Sequence, residues 1–117
     1  KDYEKALEYY ERSLKGSEKM LGKTYPDTLM TVMNMAAAYH VGLKDYGKAE
    51  ELYQRVLKGN EGQLGKDHEE TKKCAKNFRM CLEASGNMKK LQDLRKEYTF
   101  PWLDEESSDE EEAEGDY

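Results

Sequence analysis

Residues 2–25 reappear at residues 45–68. At an offset of 43, 14 of the 24 positions are identical, and the shared letters read DY-KA-E-Y-R-LKG-E--LGK. The same offset carries on to Thr28 and Thr71 and to Asn34 and Asn77. A unit of this length is one supersecondary element. It cannot bury its apolar face alone, so neighbouring units must stack to close a core. The repeat makes this chain a stack of such units, opening partway through one copy.

Each unit reads as a helical hairpin. Pro26-Asp27 marks a start, with proline in the first turn where its missing N–H does no harm. Thr28 to Leu43 then carries two interleaved stripes at helical spacing. Val32, Met35, Ala36, Tyr39 and Leu43 form one; Met30, Met33, Ala37 and Val41, with Asn34 among them, form the other. A helix apolar on two faces is buried on one and buried or used on the other. Gly42 and Lys44-Asp45 end it. The next helix starts near Asp45 and places Ala49, Leu52, Tyr53, Val56 and Leu57 on one face. Gly59 and Gly62 are expected to weaken its end, before the turn Leu64-Gly65-Lys66. A third pair runs from about Glu69 to Ala84 and from Asn87 to Tyr98, split by Ser85-Gly86. A lone helix at about Tyr3 to Lys19 precedes them. Five helices and no strand result, because the 3–4 spacing of Met30–Val41 argues against a strand. Residues 1–98 thus form an N-terminally truncated repeat domain. Residues 99–103 form a short apolar cap, and residues 104–117 a disordered acidic tail. The first helix lacks its hairpin partner and is expected to fray.

Composition narrows the function. Apolar residues are 37% and charged residues 38% of the 117, against about 45–50% and about 25% in an average soluble domain. The longest stretch without a charged residue is the 16 residues Thr28–Leu43, shorter than the about 20 apolar residues of a bilayer span. Residues 104–117 hold nine acids and no base, which leaves residues 1–103 at a net charge of +3. An acidic tail on a mildly basic body excludes nucleic acid as the leading partner. Cys74 and Cys81 lie two helical turns apart, about 10 Å along the axis, too far for a disulfide with each other. Unpaired thiols fit a reducing compartment, hence a cytoplasmic location. Enzyme signals are absent. His40 and His68 have no second histidine at ligand spacing, and there is no phosphate-binding glycine loop or GxSxG. Neither catalysis, metal nor cofactor is expected. The two thiols read as buried structural cysteines.

Asn34-Met35-Ala36-Ala37-Ala38-Tyr39, then Asp45-Tyr46-Gly47-Lys48-Ala49-Glu50, then Tyr53 and Leu57, resemble a tetratricopeptide repeat. The longer unit and its linker Leu21-Gly22-Lys23-Thr24-Tyr25-Pro26-Asp27-Thr28 resemble the kinesin light chain type of that repeat. The resemblance covers about residues 1–98. It implies an all-α, right-handed superhelical stack of antiparallel hairpins, here about two and a half repeats. Four features depart from the pattern. Glu69 stands where proline is expected, one extra residue falls between Tyr39 and Ala49, and Leu91 and Arg95 replace a small and an aromatic residue in the third unit.

A stack of hairpins lines a concave wall with its first helices. The candidate wall is Met30, Met33, Asn34, Ala37 and His40, continued by Lys73, Lys76, Asn77 and Met80. By resemblance, Asn34 and Asn77 hold the backbone of an extended peptide, since an amide offers both donors and an acceptor. The alternative is that each asparagine bonds a neighbouring helix. Lys73 and Lys76 favour an acidic peptide or are simply solvated. The methionines make an adaptable surface or fill the core. In the tail, Ser107 and Ser108 precede acids at the spacing of acidophilic phosphorylation. Trp102-Leu103-Asp104-Glu105 loosely resembles the Trp-acidic peptides that kinesin light chain grooves accept. A tail that folds back over the basic body, and a tail that only solubilises, are both open. The expected function is a protein-binding adaptor or scaffold, with kinesin heavy chain or cargo as partners implied by resemblance. The alternatives are a structural assembly segment, or the accessory end of a larger enzyme or signalling ATPase.

Overall fold

A computed structural model describes residues 2–98. Five helices follow one another: α1 (Tyr3–Leu21), α2 (Pro26–Ala37) continued by a π-helical turn (Ala38–Leu43), α3 (Tyr46–Leu64), α4 (Glu69–Ser85) and α5 (Met88–Glu97). There is no strand among the described residues. The expected tail phosphosites Ser107 and Ser108, the cap 99–103 and the acidic segment 104–117 lie outside the described residues.

The recurring letters are the start and stop signals of the second helices. Asp2, Asp45 and Asn87 cap α1, α3 and α5, each side-chain oxygen accepting from the backbone N–H three residues on, at 3.0, 3.3 and 3.3 Å. Such a cap satisfies one of the four orphan donors of a helix N-terminus. Gly22 and Gly65 end α1 and α3 at φ +97 and +89, a region that side chains rarely adopt. Pro26 opens α2. In the second copy of that turn, where Glu69 replaces proline, the His68 ring caps α4 instead, its Nδ1 accepting from Glu70 N at 3.1 Å.

The core lies where α3 is sandwiched. Val32 and Ala36 of α2, Tyr53, Val56 and Leu57 of α3, and Cys74, Phe78 and Leu82 of α4 pack together, and Leu91, Leu94 and Tyr98 extend that core under α5. A second cluster joins α1 to α2, with Leu7, Met35 and Ala38 at its centre. Across the stack, the Arg55 guanidinium pairs with the Glu18 carboxylate and donates to Lys23 O at 3.4 Å. Gln63 donates to Thr24 O. Cys74 and Cys81 are free and buried.

Two features differ from the sequence expectation. First, α3 runs unbroken past Gly59 and Gly62 to Leu64. Gly59 is where Leu29 of α2 meets α3: a Cβ there would stand 2.6 Å from Leu29 Cδ1. The lost helix propensity is offset by the close approach the glycine permits. Second, the extra residue of the second unit is absorbed as the π turn. From Asn34 to the cap Asp45 is 11 residues, while from Asn77 to the cap Asn87 is 10. One added residue in a helix is accommodated by widening a turn, and the widened turn is Ala38–Leu43. Gly42 within it lies against the Tyr3 ring of α1, with no room for a Cβ.

Candidate functional site

Between α2 and α4, over a floor supplied by α3, lies a groove of about 530 Å3. Six of the nine expected wall residues line it: Met30, Met33, Asn34 and Ala37 from α2, and Lys73 and Asn77 from α4. They converge because Asn34 and Asn77 hold the same position in successive units, and parallel first helices set those positions side by side. Met30 stands at the mouth, 64% exposed. Met33 packs onto the core while still lining the groove. Within one stripe, then, Met33 fills core space and Met30 stays open to solvent.

Asn77 is the site's most unusual group. It is 2% exposed, and its Oδ1 meets no hydrogen-bond donor among the described residues. A buried acceptor left unsatisfied costs about 1–3 kcal/mol. An N–H donor entering the groove would recover that cost.

The other three expected wall residues lie outside the lining of this groove. His40 does not line the groove. The π turn winds more widely than an α-helix and swings its ring toward α3. There its Nδ1 lies 3.1 Å from the Tyr53 hydroxyl, and the ring meets Tyr46 and Tyr53 edge-on, each at 5.9 Å between centroids. Burial holds the His40 pKa below its ordinary value, since desolvation disfavours the imidazolium. Lys76 and Met80 are half-buried on α4 and outside the lining.

Sequence reasoning missed the floor. Val56, Asn60 and Leu64 of α3 form it, and Leu29 of α2 and Glu70 and Cys74 of α4 also line the groove. Asn60 is buried and donates from Nδ2 to Glu70 O at 3.5 Å, tying α3 to the first turn of α4. The signal was Gly59: a glycine in mid-helix marks a close approach, and the residue it seats is Leu29. Cys74, at the base, is fully buried with its Sγ 3.5 Å from Tyr53 O. Burial, then the nearby Glu61 and Glu70 charges, push its pKa up, which keeps the thiol protonated. No three His, Cys, Asp or Glu side chains among the described residues are grouped to hold a metal ion. No helix among them is long and apolar enough to cross a membrane.

Stacked antiparallel hairpins, a groove walled by equivalent helices and a recurring groove asparagine define a helical-repeat binding module. A sequence model of the tetratricopeptide repeat matches residues 1–61, just over half of the chain. The chain belongs to the tetratricopeptide repeat family. Repeats of this family mediate protein–protein interaction. No curated protein matches the chain.

Proposed function

We propose that this chain is a non-catalytic, cytoplasmic adaptor of the kinesin light chain type, whose groove between α2 and α4 holds an extended peptide. The observation that carries this is the buried, donorless Asn77 Oδ1 at the wall of a groove of about 530 Å3. An extended peptide supplies backbone N–H groups, the donor that this acceptor lacks. The lining is mixed: Leu29, Met30, Met33 and Leu64 offer apolar contact, while Lys73 stands beside Glu70. That mixture supports a peptide with apolar side chains and an acid placed near Lys73, more than a uniformly acidic run.

The test uses the full chain and a fluorescent peptide array read by anisotropy. Asn77→Leu keeps the volume and removes the amide. It is expected to weaken peptide binding about tenfold, the worth of one buried hydrogen bond, while leaving stability unchanged or higher. Raising salt from about 50 to about 300 mM is expected to weaken acidic peptides several-fold and neutral ones little. Equal peptide affinity in the Asn77→Leu chain would sink the groove reading.

A further inference from the structure

Leu29, Met33 and Ala36 of α2 face its hairpin partner α3. Leu29 meets α3 at Gly59, and Met33 and Ala36 pack in the core to which Ala49 and Tyr53 of α3 belong. At the offset of 43 the same three places on α4 hold Lys72, Lys76 and Arg79. None of the three lines the groove. Arg79 takes the place of the wholly buried Ala36 and is itself only 7% exposed. Its Nη1 donates to Glu83 Oε1 at 2.7 Å, and Arg95 of α5 approaches the other oxygen of that carboxylate at 3.7 Å. Arg79 Nε meets no acceptor among the described residues. A buried donor without an acceptor is costly, the more so on a charged group. What it lacks is the oxygen of an anion. Nor does α5 run the length of this stripe. Gly59 is the fourteenth residue of α3, whereas α5 has ten. The level of Lys72 therefore falls past the end of α5, where residues 99–117 begin.

We propose that the acidic run of residues 104–112 docks along this cationic stripe of α4, with one carboxylate on Arg79 Nε and others on Lys76 and Lys72. The exit of the chain, its reach and its sign choose this occupant. The exit is fixed at Tyr98, which is 1% exposed. Its hydroxyl donates to the Glu61 carboxylate, and Lys66 Nζ lies 5.4 Å from its ring centroid. Arg95, three residues earlier, already reaches Glu83, one turn from Arg79. Asp104 lies six residues beyond Tyr98, an extended span of about 20 Å. The stripe from Lys72 to Arg79 is about 10 Å long, so the run reaches all of it. Residues 104–112 hold seven acids and no base. The run then takes the place that the second half of α3 has beside α2, with ion pairs in place of apolar contact. It lies beside the peptide groove and not in it, so the assignment stands whether or not that groove binds a peptide.

The test uses the full chain at about 20 and about 500 mM salt. A zero-length carbodiimide joins a lysine amine to a carboxylate in contact with it, and mass spectrometry reads the pairs. Links from Lys72 and Lys76 to residues 104–112 within one monomer are expected at low salt, and about fivefold fewer at high salt. Trp102 is the one tryptophan of the chain, so its emission follows the same docking. That emission is expected to lie to the blue of the urea-unfolded chain, and to move toward it in Arg79→Met, which keeps the stem and removes the charge. Deleting residues 104–117 is expected to lower Tm by about 3–6 °C at low salt in the native chain and to leave the Arg79→Met chain unmoved. That coupling is what a merely solubilising tail lacks. Links to Lys73 in place of Lys72 and Lys76 would put the run in the groove. Links found only between molecules would make the occupant the tail of a second copy. Either result, an absence of links, or a deletion that acts alike with and without Arg79, would overturn the proposal.

Discussion

Glu50 is a buried carboxylate that pins the last hairpin to the one before it. It is 6% exposed. Its Oε1 accepts from Asn87 Nδ2 at 3.1 Å and Lys90 Nζ at 3.4 Å, and its Oε2 accepts from Ser85 Oγ at 3.1 Å. The equivalent residue of α1 is Leu7. Substituting that leucine, Glu50→Leu, takes the acceptor from Asn87 Nδ2 and Lys90 Nζ, while Ser85 Oγ keeps Leu82 O at 3.1 Å. It is expected to cost about 2 kcal/mol, the scale of hydrogen bonds to a charged group, and Glu50→Gln less than half of that. Urea unfolding measures both. At His40 the sign of a pH effect follows from burial. Its folded pKa lies below the ordinary 6.5, so the folded state binds the proton less readily than the unfolded one. Its contribution is present in full above pH 6.5 and is lost as pH falls through the folded value. Between about pH 7.5 and about pH 5, His40→Gln is expected to flatten the fall in the urea midpoint relative to the native chain. Neither role was legible in the sequence. An acid or a histidine on a helix reads as solvated until its neighbours from other helices are known.

At the scale of elements, sequence and structure agree where a local rule decides. The caps at Asp2, Asp45 and Asn87, Pro26 at a helix start and the glycine turns after α1 and α3 are all local chemistry, and the helix boundaries follow them. The sequence shows that the second unit carries one residue more. It does not show where that residue goes. Placing it in a π turn depends on Gly42 meeting Tyr3 of α1, a contact across 39 positions of chain. Gly42→Ala is therefore expected to displace the Tyr3 ring, destabilise the chain by about 1–3 kcal/mol and speed hydrogen exchange at the start of α1. Gly62→Ala is the control. A Cβ at Gly62 meets nothing within 4 Å among the described residues, so it is expected to stabilise by about 0.5–1 kcal/mol. If both glycines responded alike to alanine, the packing account of Gly42 would fail.

Across the whole molecule, the described residues fill 36 × 30 × 25 Å, and α3 packs against both α2 and α4. Cys81 reports on that closure. It is fully buried on α4, its Sγ 3.9 Å from Tyr46 O of α3, and burial, then the Glu50 charge, raise its pKa to about 12. Alkylation of Cys81 at about pH 8 is expected to run about a thousandfold slower than in the unfolded chain, where the ordinary thiol pKa is about 8.5. Its rate is expected to rise in step with global unfolding in urea. Fast alkylation in native buffer would show that the last hairpin opens by itself.

The amino-acid sequence alone determined the repeat, the five helices, the all-α class and the Asn34–Asn77 pair, because these rest on periodicity, capping and an offset that adjacent residues carry. The groove floor, the turning of His40 toward Tyr53 and the donorless oxygen of Asn77 were decided only in three dimensions. Each depends on which side chain arrives from another helix, and a one-residue change in winding is enough to send a side chain to a different neighbour.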